Sequence, residues 1–266
     1  MDSVSNLFSK IAKLAFHAQT GAIFLRKFCR QNRKTHKRKK QIMEQEKIEH
    51  PLNYPEEYIT GIVNFFGREF RVTPAVLIPR LETEALIRRA RTVLRQGKIR
   101  KVVDIGSGSG IIGTSVADLV DEVIFLDISP EALKIAQENF QKYYPSKSVE
   151  FLHSDLLSNI DPNVSELLFL ANLPYIKAED WGNMSLDTRF EPELALFGGE
   201  KTGFELYERL FQELREKKYQ GTLIIEFGFD QREIAEGVLK KFGWRGTFFT
   251  DYAGMERFCE IYLTNN

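Results

Sequence analysis

The chain has 266 residues, 43% of them hydrophobic and 28% charged, enough for one large domain or for one domain with a small appendage. This composition excludes a disordered, collagen-like or disulfide-stapled chain. The 37 basic and 37 acidic residues cancel, but residues 1–47 carry a net +9 and the rest a net −9, which predicts a basic arm on a mildly acidic globule. Cys29 and Cys259 lie far apart and match no metal spacing, so free thiols in a reducing compartment are expected. No run approaches the roughly 20 apolar residues of a spanning helix, and no secretory signal follows Met1, so the expectation is a cytoplasmic protein. Within residues 1–40 only Asp2 is acidic, a composition shared with mitochondrial transit peptides, which would lead instead to the matrix.

Over residues 7–28 the apolar side chains Leu7, Ile11, Leu14, Ala15 and Ala18 recur at helical spacing and predict an amphipathic helix. Residues 26–40 hold nine Lys/Arg in fifteen positions, either a solvated face or a contact surface for RNA or the ribosome through phosphate charge. A linker ends in Pro51 and Pro55, and apolar residues over 58–72 flank Gly67-Arg68 as a β-hairpin. Beyond it, strands are predicted at 101–105, 123–127, 149–152, 167–171 and 222–227, and helices at 82–96, 111–119, 131–142, 204–217 and 231–242. Strand and helix in alternation require a parallel sheet wound on both faces. Two closing strands, at 248–249 and 258–263, have no helix between them, so the last is antiparallel. The expected fold is α/β, a doubly wound, mainly parallel sheet of seven strands. It divides into a basic helical arm (1–50), a linker with a hairpin (51–75) and the alternating domain (76–266).

The first predicted strand of that domain enters Asp104-Ile105-Gly106-Ser107-Gly108-Ser109-Gly110 and then a helix. Glycines allow a sharp turn and a close approach of ligand to bare backbone, and a helix N-terminus offers unpaired N–H groups. Asp127 ends the next strand, where a carboxylate can accept both ribose hydroxyls. Gly108 to Gly113 also satisfies G-x-G-x-x-G, so the spacing alone leaves a dinucleotide open. The loop with Asp104 and glycines at 106, 108 and 110 resembles instead the first motif of class I methyltransferases, which have a Rossmann-like fold and bind S-adenosylmethionine. That resemblance implies cofactor contacts from Asp104, Gly106, Ser107, Gly108 and Gly110, from Asp127 and Ile128 at the ribose, and from Asp155 and Leu156 beside the adenine.

Strand 167–171 ends in Asn172-Leu173-Pro174-Tyr175. Methylating a planar nitrogen is difficult because its lone pair is delocalised, so a site must hold both N–H bonds and leave the lone pair facing the methyl donor. The Asn172 side-chain oxygen and the Leu173 carbonyl supply two acceptors, Pro174 keeps Leu173 extended, and Tyr175 can stack on the planar group. No metal or strong base is needed for an in-line displacement driven by positioning. The tetrapeptide resembles the N-P-P-Y signature of amino-methyltransferases, in which Asn172 also borders the cofactor.

Further ordered segments resemble one family, the peptide chain release factor glutamine N5-methyltransferases. They are Val76 through Glu84, resembling V-L-I-P-R-P-E-T-E; Phe190-Glu191-Pro192 through Gly199; Phe204 to Tyr207; Glu226-Phe227-Gly228 with Gln231; and Asp251 through Arg257. The resemblance covers about residues 54–263. It implies the glutamine of a Gly-Gly-Gln loop in a release factor as substrate, with Phe190 and Glu191 added to the acceptor contacts of Asn172, Pro174 and Tyr175. Arg80 and Glu82 would shape the cofactor entrance, and the segment 176–203, with Trp181 and Phe190, would cover the site. Leu173 departs from the family's first proline and matches the form seen in ribosomal RNA adenine dimethyltransferases, which keeps RNA adenine open as acceptor. The basic arm also departs from the family's usual helical substrate-binding domain, and a catalytically silent ribosome-bound module is the reading of a different class. His17, His36, His50 and His153 form no cluster in the sequence and are assigned no catalysis.

Overall fold

The computed structural model describes residues 50–161 and 167–264. The predicted amphipathic helix, the basic run and Cys29 lie outside the described residues. From the short helix α1 (Glu56–Thr60) the chain passes into strands β1 (Ile62–Phe65) and β2 (Arg68–Arg71), paired antiparallel with Phe65 opposite Arg68. The turn therefore falls on Phe66-Gly67, one residue earlier than expected. Both have positive φ, 46° and 75°, the backbone hand that follows the right-handed twist of the strands.

The main sheet is built from α2 (Thr83–Leu94), β3 (Lys101–Ile105), α3 (Ile111–Val116), β4 (Glu122–Asp127), α4 (Pro130–Tyr143), β5 (Ser148–His153) and β6 (Leu167–Ala171). After β6 come two very short strands, β7 (Ile176–Lys177) and β8 (Phe197–Gly199), then α5 (Glu205–Glu216), β9 (Gly221–Glu226), α6 (Arg232–Lys241), β10 (Gly246–Thr250) and β11 (Glu256–Leu263). The seven strands are ordered β10-β11-β9-β6-β3-β4-β5. All neighbours are parallel except β11, which is antiparallel to both β9 and β10. This is the expected fold class, with the antiparallel last strand seated inside the sheet.

Side-chain alternation explains the two-sided winding. All five residues of β6 are buried; Leu167, Phe169 and Ala171 pack toward α5 and α6, while Leu168 and Leu170 pack toward α2, α3 and α4. On α5, Tyr207, Leu210, Phe211 and Leu214 form one fully buried stripe. Ser129 starts α4 by accepting the Ala132 N–H, with Pro130 at the first helical position. Successive crossovers leave β3 in opposite directions, toward β4 and toward β6, so a crevice opens beyond the carboxyl ends of β3 and β6. No helix of the described residues is long and apolar enough to cross a membrane.

Helix α2 is held to β11 by an ion pair between Arg89 and the buried carboxylate of Glu260, which also accepts the Tyr262 hydroxyl at 2.7 Å. Arg89→Leu leaves that carboxylate without its cation and is expected to cost about 2–3 kcal/mol, whereas Arg89→Leu with Glu260→Leu recovers most of the loss. Urea denaturation of the two variants checks the difference.

Candidate active site

Asp104, next to last in β3, is fully buried and accepts the Gly113 N–H on Oδ2 at 2.8 Å, tying the first turn of α3 to the strand. Gly106 follows with φ +67°, and a Cβ there would stand 2.8 Å from Leu173 Cδ2, so the loops leaving β3 and β6 are in contact. Asp127, at the end of β4, takes the Gly108 N–H on Oδ2 and the Ser129 N–H on Oδ1, each at 2.8 Å. One carboxylate thus fixes both the glycine loop and the start of α4, and each oxygen keeps a lone pair for a further donor. Burial raises the Asp127 pKa, and these backbone donors oppose the rise.

The turn after β6 is held from several directions. Asn172 donates from Nδ2 to Thr83 Oγ1 at 3.2 Å, and the Leu173 N–H donates to the Tyr207 hydroxyl at 3.0 Å. The Tyr207 hydroxyl in turn donates to the Glu226 carbonyl. The Tyr175 carbonyl accepts Gln231 Nε2 at 2.8 Å. Gly198 passes so close that a Cβ would lie 2.4 Å from the Pro174 carbonyl oxygen and 2.7 Å from Tyr175 Cα, which explains bare backbone at that point of β8.

These loops enclose a cavity of about 520 Å³. Gly106, Ser107 and Gly108 line it from β3, Asp127 and Ile128 from β4, Asp155 and Leu156 from β5, and Asn172, Leu173 and Pro174 from β6. Leu156 holds a left-handed backbone, φ 48°, with its carbonyl accepting the Ser154 hydroxyl. Asp155 is half-exposed at the rim and pairs with Arg209 at 2.8 Å. Asp104 and Gly110 support the loop from behind and are not among the lining residues, and neither is Tyr175. Burial raises the Tyr175 phenol well above its ordinary pKa, with the Glu226 charge adding to the rise.

Phe190 and Glu191 also stand outside the lining. Phe190 packs edge-on against Tyr54 at 5.1 Å, and buried Glu191 forms an ion pair with Arg80 and accepts the Ile78 N–H at 2.8 Å. From segment 176–203 it is Pro192, Leu194, Ala195 and Phe197 that face the cavity, and Trp181 backs Phe197 at 5.4 Å. Arg80 lines the cavity while it holds Glu191. Thr83 and Arg209 were not recognised in the sequence. Thr83 belongs to the Val76 through Glu84 segment but has no role of its own there, and nothing local links Arg209 to an aspartate 54 positions away; both line the cavity. Among the described residues no three His, Cys, Asp or Glu side chains are grouped to hold a metal.

Two buried carboxyl groups are pushed up to about 7, Asp104 by burial with the Gly113 N–H opposing, and Glu226 by burial with the Thr83 hydroxyl and Arg257 opposing. Between about pH 4 and pH 7 the folded protein retains these protons and the unfolded chain has lost them, so stability falls as pH rises through that window. Thermal unfolding from about pH 4.5 to 7.5 is expected to show a falling Tm. Glu226→Gln removes one titrating group and reduces the dependence by up to about 1.4 kcal/mol per pH unit.

A family model described as the methyltransferase small domain matches residues 82–184, which contain both loops. Among solved structures, a ribosomal protein L11 methylase from Lactobacillus delbrueckii subsp. bulgaricus superposes with a TM-score of 0.52 at 18% identity, over 73% of this chain and 85% of its own. A T. thermophilus 16S rRNA N2 G1207 methyltransferase in complex with AdoMet and guanosine also gives 0.52, at 14% identity over 77% of this chain and 50% of its own. At these identities the likeness is one of fold. Sequence relatives go further: the release factor glutamine methyltransferase of Koribacter versatilis is 40% identical over 190 residues, 70% of this chain and 67% of the relative. That of Dictyoglomus turgidum is 36% identical over 228 residues, 84% and 79%. With identity at this level over that share of both chains, the chain belongs to the release factor glutamine methyltransferase family.

Proposed function

We propose that this protein transfers the methyl group of S-adenosylmethionine to the side-chain amide nitrogen of glutamine in the Gly-Gly-Gln loop of a peptide chain release factor. The observation that carries the reading is the turn after β6, where Asn172 and Leu173 line the cavity and neither the Asn172 Oδ1 nor the Leu173 carbonyl accepts a hydrogen bond among the described residues. Two free acceptors at one wall match the two N–H bonds of a primary amide. The names of the curated relatives support glutamine in a release factor as the bearer of that amide.

The residues present fit S-adenosylmethionine. A cavity of about 520 Å³ has the size of a small-molecule site. Bare backbone at Gly106 and Gly108 admits close approach, Asp127 offers acceptors for ribose hydroxyls, and Ile128 and Leu156 offer apolar surface to an adenine, with Asp155 at the rim. Bound there, the cofactor supplies an electrophilic methyl carbon on a cationic sulfur. Asn172 and Leu173 hold the acceptor nitrogen by its hydrogens, which leaves its lone pair directed away from them. Pro192, Leu194 and Phe197 exclude water from the same wall. Leu173, in place of the family's proline, keeps the carbonyl and fills the space beside Gly106 with its side chain.

We further infer three parts, a basic arm (1–50), a linker with a hairpin (51–75) and the methyltransferase domain (76–266). Contact of the arm with RNA or the ribosome is supported by its charge alone.

Incubation of the protein with radiolabelled cofactor and either purified release factor or ribosomal RNA tests the acceptor, with the label located by mass. Label on the release factor glutamine is expected; label on RNA adenine alone overturns the reading. Asn172→Ala is expected to lower turnover by about 100-fold or more, by analogy with loss of one preorganised hydrogen-bonding group, with cofactor affinity within about 3-fold of wild type. Asp127→Ala acts in the opposite sense, weakening cofactor binding by about 10- to 100-fold in a titration made without acceptor.

A further inference from the structure

We propose that Thr83 and Tyr207 are positioning residues, each aiming one of the two oxygens that grip the acceptor amide. The inference rests on the methyl-transfer reading above and adds to it two hydroxyls that act through Asn172 and Leu173, Thr83 at the cavity wall and Tyr207 behind it. An asparagine amide is nearly symmetric in shape, so only its partners decide whether oxygen or nitrogen faces the cavity. Thr83, 1% exposed at the start of α2, receives the Asn172 Nδ2–H at 3.2 Å and so leaves Oδ1 as the outward atom. A hydroxyl can donate as well as accept; here it accepts from the Asn172 Nδ2. Removing that hydroxyl takes away the partner that holds the amide in this sense.

The second oxygen is set from the other face of the sheet. Pro174 restricts Leu173 to an extended backbone but does not fix the peptide plane before it. That plane is held where the Leu173 N–H meets the Tyr207 hydroxyl at 3.0 Å. Tyr207 is fully buried on α5, and its own hydrogen goes to the Glu226 carbonyl, so its oxygen too is left to accept. Helix α2 packs with Leu168 and Leu170, and α5 with Leu167 and Phe169. The gripping turn is therefore clamped between hydroxyls from opposite faces, Thr83 on the Asn172 amide and Tyr207 on the Leu173 N–H.

Steady-state kinetics with release factor as acceptor test this, using Thr83→Val, Thr83→Ser and Tyr207→Phe, with Tm measured for each. Thr83→Val and Tyr207→Phe are each expected to lower kcat by about 10- to 100-fold while cofactor affinity stays within about 3-fold, and Thr83→Ser to return within about 3-fold of wild type. If Thr83→Val matches wild type, or if Thr83→Ser is as impaired as Thr83→Val, the positioning role of Thr83 is overturned. Loss of cofactor affinity in step with kcat in Tyr207→Phe overturns that of Tyr207. Should Tyr207→Phe fail to fold, the Val and Ser pair at Thr83 still decides. A wild-type enzyme that leaves the release factor unlabelled removes the parent reading, a result distinct from an active wild type with indifferent variants.

Discussion

The parallel pairing of β3 with β6 is the constraint on which the rest depends. Because Ile105 lies opposite Ala171, the two strands end at the same level and discharge their loops into one crevice. Neither loop is a site alone. The first is glycine and serine with an aspartate behind it; the second is four residues with two unengaged oxygens. Their contact at Gly106 and Leu173 makes the floor of one cavity, and a side chain at position 106 would push them apart.

Around that floor the protein spends few polar side chains, and each serves more than one segment. Asp127 binds the glycine loop and the head of α4. Gln231 accepts the Gly228 N–H and donates to the carbonyls of Tyr175 and Thr202, joining three loops through one amide. Glu191 and Arg80 belong to two motifs 111 positions apart, and each resembled a ligand contact when read alone; in the fold they answer one another, and only Arg80 also reaches the cavity. Buried polar groups of this kind are costly unless satisfied, so their partners specify how the loops are arranged.

Much of this was legible in the amino-acid order, for reasons that differ by element. The run 167–171 agrees with the observed strand because an unbroken apolar stretch has few alternatives when both faces of a sheet are covered, and 101–105 agrees through the β-branched residues Val102, Val103 and Ile105 ahead of a glycine turn. Helices α5 and α6 follow from a 3.6-residue stripe that the core then buries. Asp127, Asn172 and Leu173 could be placed at the crevice because the order of strands sets which loops share an edge. The pair β7 and β8 carries no periodic signal, being two and three residues long and formed only where glycine backbone can lie against Tyr175. The resemblance puts Phe190 at the acceptor, but an aromatic in a covering segment serves equally as wall or as packing, and Phe190 packs on Tyr54 outside the cavity lining. Thr83 stayed hidden because its significance lies in a partner 89 positions away.

The placement of β11 has a bearing on how the molecule assembles. It is made after β10 yet separates β10 from β9, and among the described residues it supplies the only ladder by which β10 joins the sheet. During synthesis the flank of β9 therefore stays open, a sticky edge of backbone amides and carbonyls, until residues 256–263 have emerged to occupy it. Closure of this half of the molecule thus waits on residues 256–263, and a chain truncated before them would carry an unclosed, aggregation-prone border.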